Sequence, residues 1–499
     1  MTKILAKLHT PVWLFILLVV VFILRIPSFF EPYSYGDEMI YLTLGEAIRQ
    51  GVPLYLGVHD NKPPLLYILA AISGRLFWFK AILAIWHLIT VFIFWKLSEV
   101  LFPKSVKAQK IATIIFALLT TLPLLEGNIA NAEIFMVGTT ILAFYLLLSK
   151  KLTRKNLFVS GVLFAVSTLF KVPAAFDVPA IVLLWLFTEK NLTWKSLKTT
   201  TSRTFYLLIG FLSLILLTFV WYYLRGALGE YISAAFLQNV GYLSSWRPTD
   251  VQEPFFVRNS PLLLRGAVIA FGVGILFWYR KKLSTEFLFG TTWLMLTLFA
   301  VTLSERPYPH YLIQSVPPIS LLLSILVTRK VREQVLTIIP LTIAFFVPVY
   351  FKFWYYPTVP YYTKFIQLLA GGLTREEYLS TFGSHVPRNY KIADFVLTAT
   401  KPSEKIFVWG ESSPIYALSK RLPPGKYVAD YHIKDFSAEE DTIKILANDI
   451  PSFIIILPDS QPFPLLIGFL HNNYGLAETI DGAEIWKLLS PKIRSLISP

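Results

Sequence analysis

The 499-residue sequence predicts a polytopic α-helical membrane protein with about 11 transmembrane helices and a small α/β extracytoplasmic C-terminal domain. Three observations carry this expectation. Hydrophobic residues make up 55% of the chain and charged residues 15%, against roughly 25% charged in a soluble globular domain. Apolar runs of roughly 20 residues recur, each long enough for a hydrocarbon core about 30 Å thick. Beyond residue 351 the pattern changes to short apolar strands and amphipathic segments separated by Gly, Pro and Asp. The chain is therefore divided into a membrane domain, 1–351, and a soluble α/β domain, 352–499.

The first apolar run, Pro11–Phe30, follows Lys3 and Lys7 and resembles a signal peptide. It exceeds the apolar core of such a peptide and no small-x-small cleavage site follows, so a retained signal-anchor helix is expected. Next comes a polar first loop, 31–64. The 38 apolar residues 65–102 must then change sides of the membrane. An interfacial helix over 65–77 and one span over 78–102 satisfy that requirement. Lys80, His87 and Lys96 in this region are expensive in lipid and should face protein or snorkel. The remaining spans are expected near 109–127, 132–149, 157–172, 174–188, 205–224, 260–279, 284–303, 309–328 and 333–351. Residues 352–362 (KFWYYPTVPYY) read as an aromatic exit from the membrane. Strands are expected at 405–410 and 453–457, and helices near 387–400 and 438–448.

Charge orients this arrangement. Residues 352–499 hold 15 basic and 15 acidic side chains, so the net charge of +15 lies wholly before them. There the basic residues cluster in short loops at 1–10, 103–110, 150–156, 189–204, 280–282 and 329–332, the pattern of cytoplasmic loops. The N-terminus is therefore placed inside and the C-terminal domain outside the cytoplasmic membrane. The charge reports topology, with membrane lipids as surroundings and no nucleic-acid partner. The absence of cysteine excludes disulfides and thiolate metal sites.

The first loop concentrates chemistry. Gly36-Asp37 opens a helical pattern over 38–50, closed by Gly51, so Asp37 fits an N-cap. Asp37 and its neighbour Glu38 equally fit a carboxylate base at the membrane–water boundary. In His59-Asp60-Asn61-Lys62-Pro63-Pro64, the prolines suit the start of a helix, and Lys62 stands at a helix N-terminus that favours anions. That is a phosphate site or an ordinary interfacial lysine. EGNIANAE places Glu126, Asn128, Asn131 and Glu133 at one outer helix end, and LFKVPAAFD places Lys171 and Asp177 at another. These are cavity residues or a structural ion pair. SERPYPHYLIQSVPP adds Glu305, Arg306, Tyr308, His310 and Tyr311, with Arg306 offering a planar fork of donors suited to phosphate. No HxxH or HExxH pattern, P-loop or GxGxxG occurs; a carboxylate-bound divalent cation stays open.

YGDEMIYLTLGEAIRQGVPLY followed by HDNKPPLLYIL resembles the first periplasmic loop of bacterial GT-C glycosyltransferases. These are polyprenyl-phosphate-sugar-dependent enzymes related to protein O-mannosyltransferases and to the aminoarabinose transferase of lipid A. The NAEIF segment, the lysine of LFKVPAAF, RPYPHYLIQSVPP and KIFVWGESSPIYALSKRLPPGKY are similar to that family as well. Aminoarabinose-type members place a glutamate before their Lys-Pro, where Asn61 stands here. The resemblance implies inverting transfer of a sugar from an undecaprenyl-type phosphate carrier to a lipid, glycan or protein acceptor outside the membrane. It implies Asp37 as general base and Glu38 as its partner or an acceptor-positioning group. Lys62, Arg306, His310 and Tyr311 would bind the donor phosphate. His59, Asp60, Glu133 and Lys171 would line the cavity. No cofactor is firmly implied.

Two other readings use the same features. A transporter or flippase of lipid-linked sugars should show paired halves with broken helices at matching positions, and no such internal symmetry is present. An O-antigen ligase or polymerase centres on a long later loop. Its counterpart here, 225–259 with Arg225, Arg247 and Arg258, carries no recognisable motif.

Overall fold

The computed structural model describes residues 10–238, 254–304, 306–328, 331–411 and 413–492. Lys3, Lys7, Arg247 and Glu305, singled out above, lie outside them. Among the described residues eight helices are long and apolar enough to cross a membrane: Val12–Phe30, Leu76–Leu101, Ala132–Ser149, Trp194–Leu224, Ser260–Lys282, Thr285–Thr302, Pro309–Thr328 and Arg332–Tyr350. The other three expected spans fall on helices Val106–Leu119, Arg154–Phe170 and Val178–Thr188, of 14, 17 and 11 residues. Pro123, Pro173 and Pro179 mark these interruptions, each at the start of a new helical segment. A proline lacks the N–H that would continue the preceding helix.

The chain forms two compact units, residues 1–28 with 80–358, and residues 29–79 with 359–499. In the first, ionisable groups of the apolar runs find protein partners. Lys80 is 1% exposed and donates to the Asn128 carbonyl at 2.9 Å. Arg25 Nε donates to His87 Nδ1 at 3.1 Å, and His87 Nε2 lies 2.7 Å from Thr120 Oγ1. Lys96 pairs with Glu99 at 2.9 Å and covers the Trp95 ring at 4.0 Å. Helices 154–170 and 194–224 approach through glycines. A Cβ on Gly161 would stand 2.0 Å from the Leu207 oxygen, and one on Gly210 2.0 Å from the Phe158 oxygen. Small residues at such crossings bring backbones close where lipid supplies no hydrophobic drive.

The second unit contains a four-stranded sheet of order β1-β2-β4-β3, with β1 Ile406–Trp409, β2 Phe453–Ile456, β3 Tyr474–Ile480 and β4 Ala483–Leu488. β1 and β2 run parallel, with Phe407 opposite Ile454, and β4 returns antiparallel on β2. The wholly apolar sequences of β1 and β2 suit burial on both faces. Phe407, Trp409, Ile433, Leu446, Ile454 and Leu466 share the resulting core. Helices His385–Ala399 and Glu439–Asn448 match the expected amphipathic segments.

Segment 29–79 packs onto this C-terminal region. Ser413 Oγ donates to the Gly36 carbonyl at 3.0 Å, the Tyr33 N–H to the Tyr390 hydroxyl at 3.1 Å, and the His59 N–H to the Lys426 carbonyl at 2.8 Å. Within the segment, helices Gly36–Arg49 and Leu65–Ser73 touch at Gly45, where a Cβ would lie 2.6 Å from the Ala71 nitrogen. Backbone cannot yield as a flexible side chain does. Gly45→Ala should therefore lower stability by about 1–3 kcal/mol, read as a reduced midpoint in thermal unfolding of the purified protein.

Candidate active site

Helix Gly36–Arg49 starts earlier than expected, with Tyr35 as N-cap and no side-chain cap bond. Asp37 is therefore not the cap. It lies in the first turn, where a carboxylate complements the positive end of the helix dipole. One turn on, the Tyr41 hydroxyl donates to Asp37 Oδ2 at 2.8 Å, the i,i+4 spacing that stacks side chains on one helix face. Glu38 is 1% exposed, whereas the Asp37 side chain is 31% exposed.

Residues 59–67 bring the counter-charge. Lys62 Nζ stands 3.6 Å from Asp37 Oδ2 and 3.7 Å from Asp60 Oδ2, and 5.0 Å from the Tyr41 ring centroid. Both carboxylate distances exceed a hydrogen bond, so these pairings are electrostatic. Asp60 is 2% exposed. Its Oδ1 accepts from the Asn61 N–H at 2.8 Å and its Oδ2 from the Tyr67 hydroxyl at 2.8 Å. Burial, reinforced by the Asp60 charge, holds the Tyr67 phenol well above its ordinary range, so it remains a donor. The Tyr55 hydroxyl fixes the Lys62 backbone carbonyl at 2.8 Å. The ring of His59 packs edge-on against Tyr427, Phe436 and His432. The result is an ammonium held between two carboxylates, one buried and one partly exposed.

The first unit carries a separate polar cluster. Lys171 pairs with Glu133, which is 2% exposed, and its Nζ sits 3.5 Å from the Tyr311 ring centroid. His310 Nδ1 meets the Glu126 carboxylate, and its Nε2 lies 3.9 Å from Glu133 Oε1. Glu126 adopts a left-handed backbone, φ 58°, uncommon for a non-glycine residue and a frequent mark of functional loops. The Tyr356 phenol is pushed up to about 12, chiefly by burial and next by the Glu126 charge. The partner of Lys171 is thus Glu133 and not Asp177, which accepts from Trp293 Nε1 at 3.1 Å and Gln314 Nε2 at 3.3 Å.

Of the residues singled out by sequence, Asp37, Glu38, His59, Asp60 and Lys62 belong to one unit. Glu133, Lys171, His310, Tyr311 and Arg306 belong to the other. Arg306 is exposed, its N–H 3.4 Å from Ser304 Oγ. Among the described residues no three His, Asp or Glu side chains are grouped to hold a metal ion. Between the close carboxylates of the first loop the cationic place is taken by Lys62. Tyr41, Tyr55, Tyr67 and His432 were missed by motif reading. Tyr41 had a usable signal, its fixed spacing from Asp37, whereas His432 had none.

No family model and no curated protein matches the sequence. Solved structures do. ArnT from Cupriavidus metallidurans, bound to undecaprenyl phosphate, matches with a TM-score of 0.56 at 13% identity, covering 96% of this chain and 98% of that one. Its apo state matches with a TM-score of 0.53 at 13% identity, covering 98% and 99%. A looser match, TM-score 0.45 at 13% identity, is the oligosaccharyltransferase AglB from Archaeoglobus fulgidus, covering 96% of this chain and 74% of that one. The chain shares the fold of ArnT over nearly its full length.

Proposed function

We propose that the protein is an inverting membrane glycosyltransferase of GT-C type. It moves a sugar from a polyprenyl-phosphate carrier to a lipid, glycan or protein acceptor on the outer face of the membrane. The observation that carries this reading is Lys62 poised between Asp37 and Asp60. A fold shared over nearly the full length with an ArnT that binds undecaprenyl phosphate supports it.

In the resting site the ammonium quenches the nearby base. An arriving carrier phosphate offers Lys62 a stronger, hydrogen-bonded anionic partner and draws it from Asp37. Tyr41 keeps the released carboxylate oriented. Asp37 accepts the proton of the acceptor hydroxyl or amine as that group attacks the anomeric carbon. The bond from that carbon to the phosphate oxygen breaks, and the carrier phosphate leaves with the electron pair. Lys62 stabilises the negative charge that develops there, an interaction stronger in the transition state than before it. Base activation is thereby coupled to carrier binding.

The test is a transfer assay on the full-length protein in lipid nanodiscs. A panel of undecaprenyl-phosphate-linked pentoses and hexoses is offered with membrane lipid and glycan extracts. The expected result is label moving covalently from carrier to acceptor. Failure to consume any donor, with carrier crossing the bilayer of proteoliposomes intact, overturns the reading in favour of transport.

A further inference from the structure

Among the neighbours of the Asp60 carboxylate is a buried histidine that the proposed chemistry does not use. His432, on helix Asp430–Phe436, is 4% exposed, and its Nε2 lies 3.6 Å from Asp60 Oδ1. Its Nδ1 is buried with no hydrogen-bond partner among the described residues. The ring sits in an aromatic box of His59 at 6.3 Å, Tyr427 at 6.4 Å, Phe436 at 6.0 Å and Tyr431 at 4.4 Å. A phenyl group fills such a box without leaving a polar nitrogen unsatisfied. An imidazole there costs free energy, offset only by what the other nitrogen does.

We infer that His432 is a positioning residue, whose imidazole edge faces Asp60 and, through its charge state, sets how Lys62 is shared between Asp60 and Asp37. This rests on the glycosyltransferase reading above. Asn61 and Tyr67 hydrogen-bond the Asp60 carboxylate, and His432 Nε2 faces its Oδ1 at 3.6 Å, an electrostatic contact. While His432 is neutral, Asp60 keeps its full pull on Lys62. A second proton on the ring adds positive charge beside Asp60. It repels Lys62 toward Asp37 and makes the site one unit more positive. The anionic carrier then binds more tightly, while the base is more strongly quenched. Binding and turnover move in opposite directions.

The charged groups facing His432 are Asp60, Lys62 and Asp37 from the first loop and Asp435 from its own helix. Burial holds the imidazole below its ordinary range, with Asp60 opposing and Lys62 adding to the effect. The neutral ring is therefore the native form. Its contribution to stability is present above about pH 6.5 and is lost as pH falls through the lowered folded value.

Undecaprenyl phosphate binding and sugar transfer are measured on the full-length protein in nanodiscs between pH 5 and pH 8. In the wild type the Kd for undecaprenyl phosphate and kcat should both fall as the pH is lowered from 8 to 5. His432→Gln keeps a neutral donor toward Asp60 and should flatten both curves, with a rate at pH 8 within a few fold of wild type. His432→Phe should lower kcat at every pH; a folding defect in that variant leaves the test with His432→Gln. Superimposable binding curves for wild type and His432→Gln overturn the inference. A flattened binding curve without transfer by either protein upholds the switch and counts against the glycosyltransferase reading alone. Binding at no pH overturns both.

Discussion

Asp37→Asn is expected to lower the rate of sugar transfer by about 10²–10⁴-fold while carrier binding stays within a few fold of wild type. The amide keeps the shape of the carboxylate and its oxygen still accepts from the Tyr41 hydroxyl, 2.8 Å away in the native site. It cannot take a proton from the acceptor. It also removes one of the two charges that hold Lys62, which frees that ammonium for the carrier phosphate. Titration with undecaprenyl phosphate should therefore show equal or tighter binding in a protein that no longer turns over. Wild-type transfer by purified Asp37→Asn protein would remove Asp37 from the reaction.

Lys62→Met should fail twice, for separable reasons. The Asp60 side chain is 3% exposed and Lys62 only 19%, so the substitution strands a buried carboxylate. Breaking a fully buried pair costs about 3–5 kcal/mol, and partial exposure of the lysine brings the expectation to about 2–4 kcal/mol. Thermal unfolding should show that loss. The second failure is chemical, since a charged hydrogen bond worth about 1.5–3 kcal/mol to the carrier phosphate disappears, weakening binding roughly 10- to 100-fold. Asp60→Asn added to Lys62→Met should restore most of the stability and none of the carrier affinity. Recovery of both in the double variant would assign Lys62 a structural role only.

Much of the membrane part was legible because a spanning helix announces itself locally, in the length and apolarity of one run. The interfacial helix and following span expected at 65–77 and 78–102 correspond to Leu65–Ser73 and Leu76–Leu101. Lengths were less legible at 109–127 and 157–188, where prolines and back-bonding threonines such as Thr120 end helices inside apolar sequence. In the candidate site, Asp37 and Lys62 stood out as charges beside helix starts. Nothing local marks His432 or Tyr67, whose importance lies in tertiary contact with Asp60. The pairing of Lys171 with Glu133, instead of the nearby Asp177, is likewise decided by three-dimensional packing. The last two strands were missed because alternating, half-exposed sequences such as AEIWKL give a weaker signal than FIII.

The packing of residues 29–79 onto the C-terminal region also has a consequence in time. The bonds from Tyr33 to Tyr390 and from Ser413 to Gly36 join positions 357 and 377 residues apart. At synthesis rates of roughly 5–20 residues per second, the loop waits about 20–75 s for its partners to be made. Through that interval Asp60 and Lys62 exist without His432 and the aromatic box around it. A nascent chain halted before residue 430 is a membrane protein with its spans in place and its acid–lysine cluster unclamped. The first loop thus gains its contacts with Tyr390, Ser413 and His432 only long after it has itself been translated.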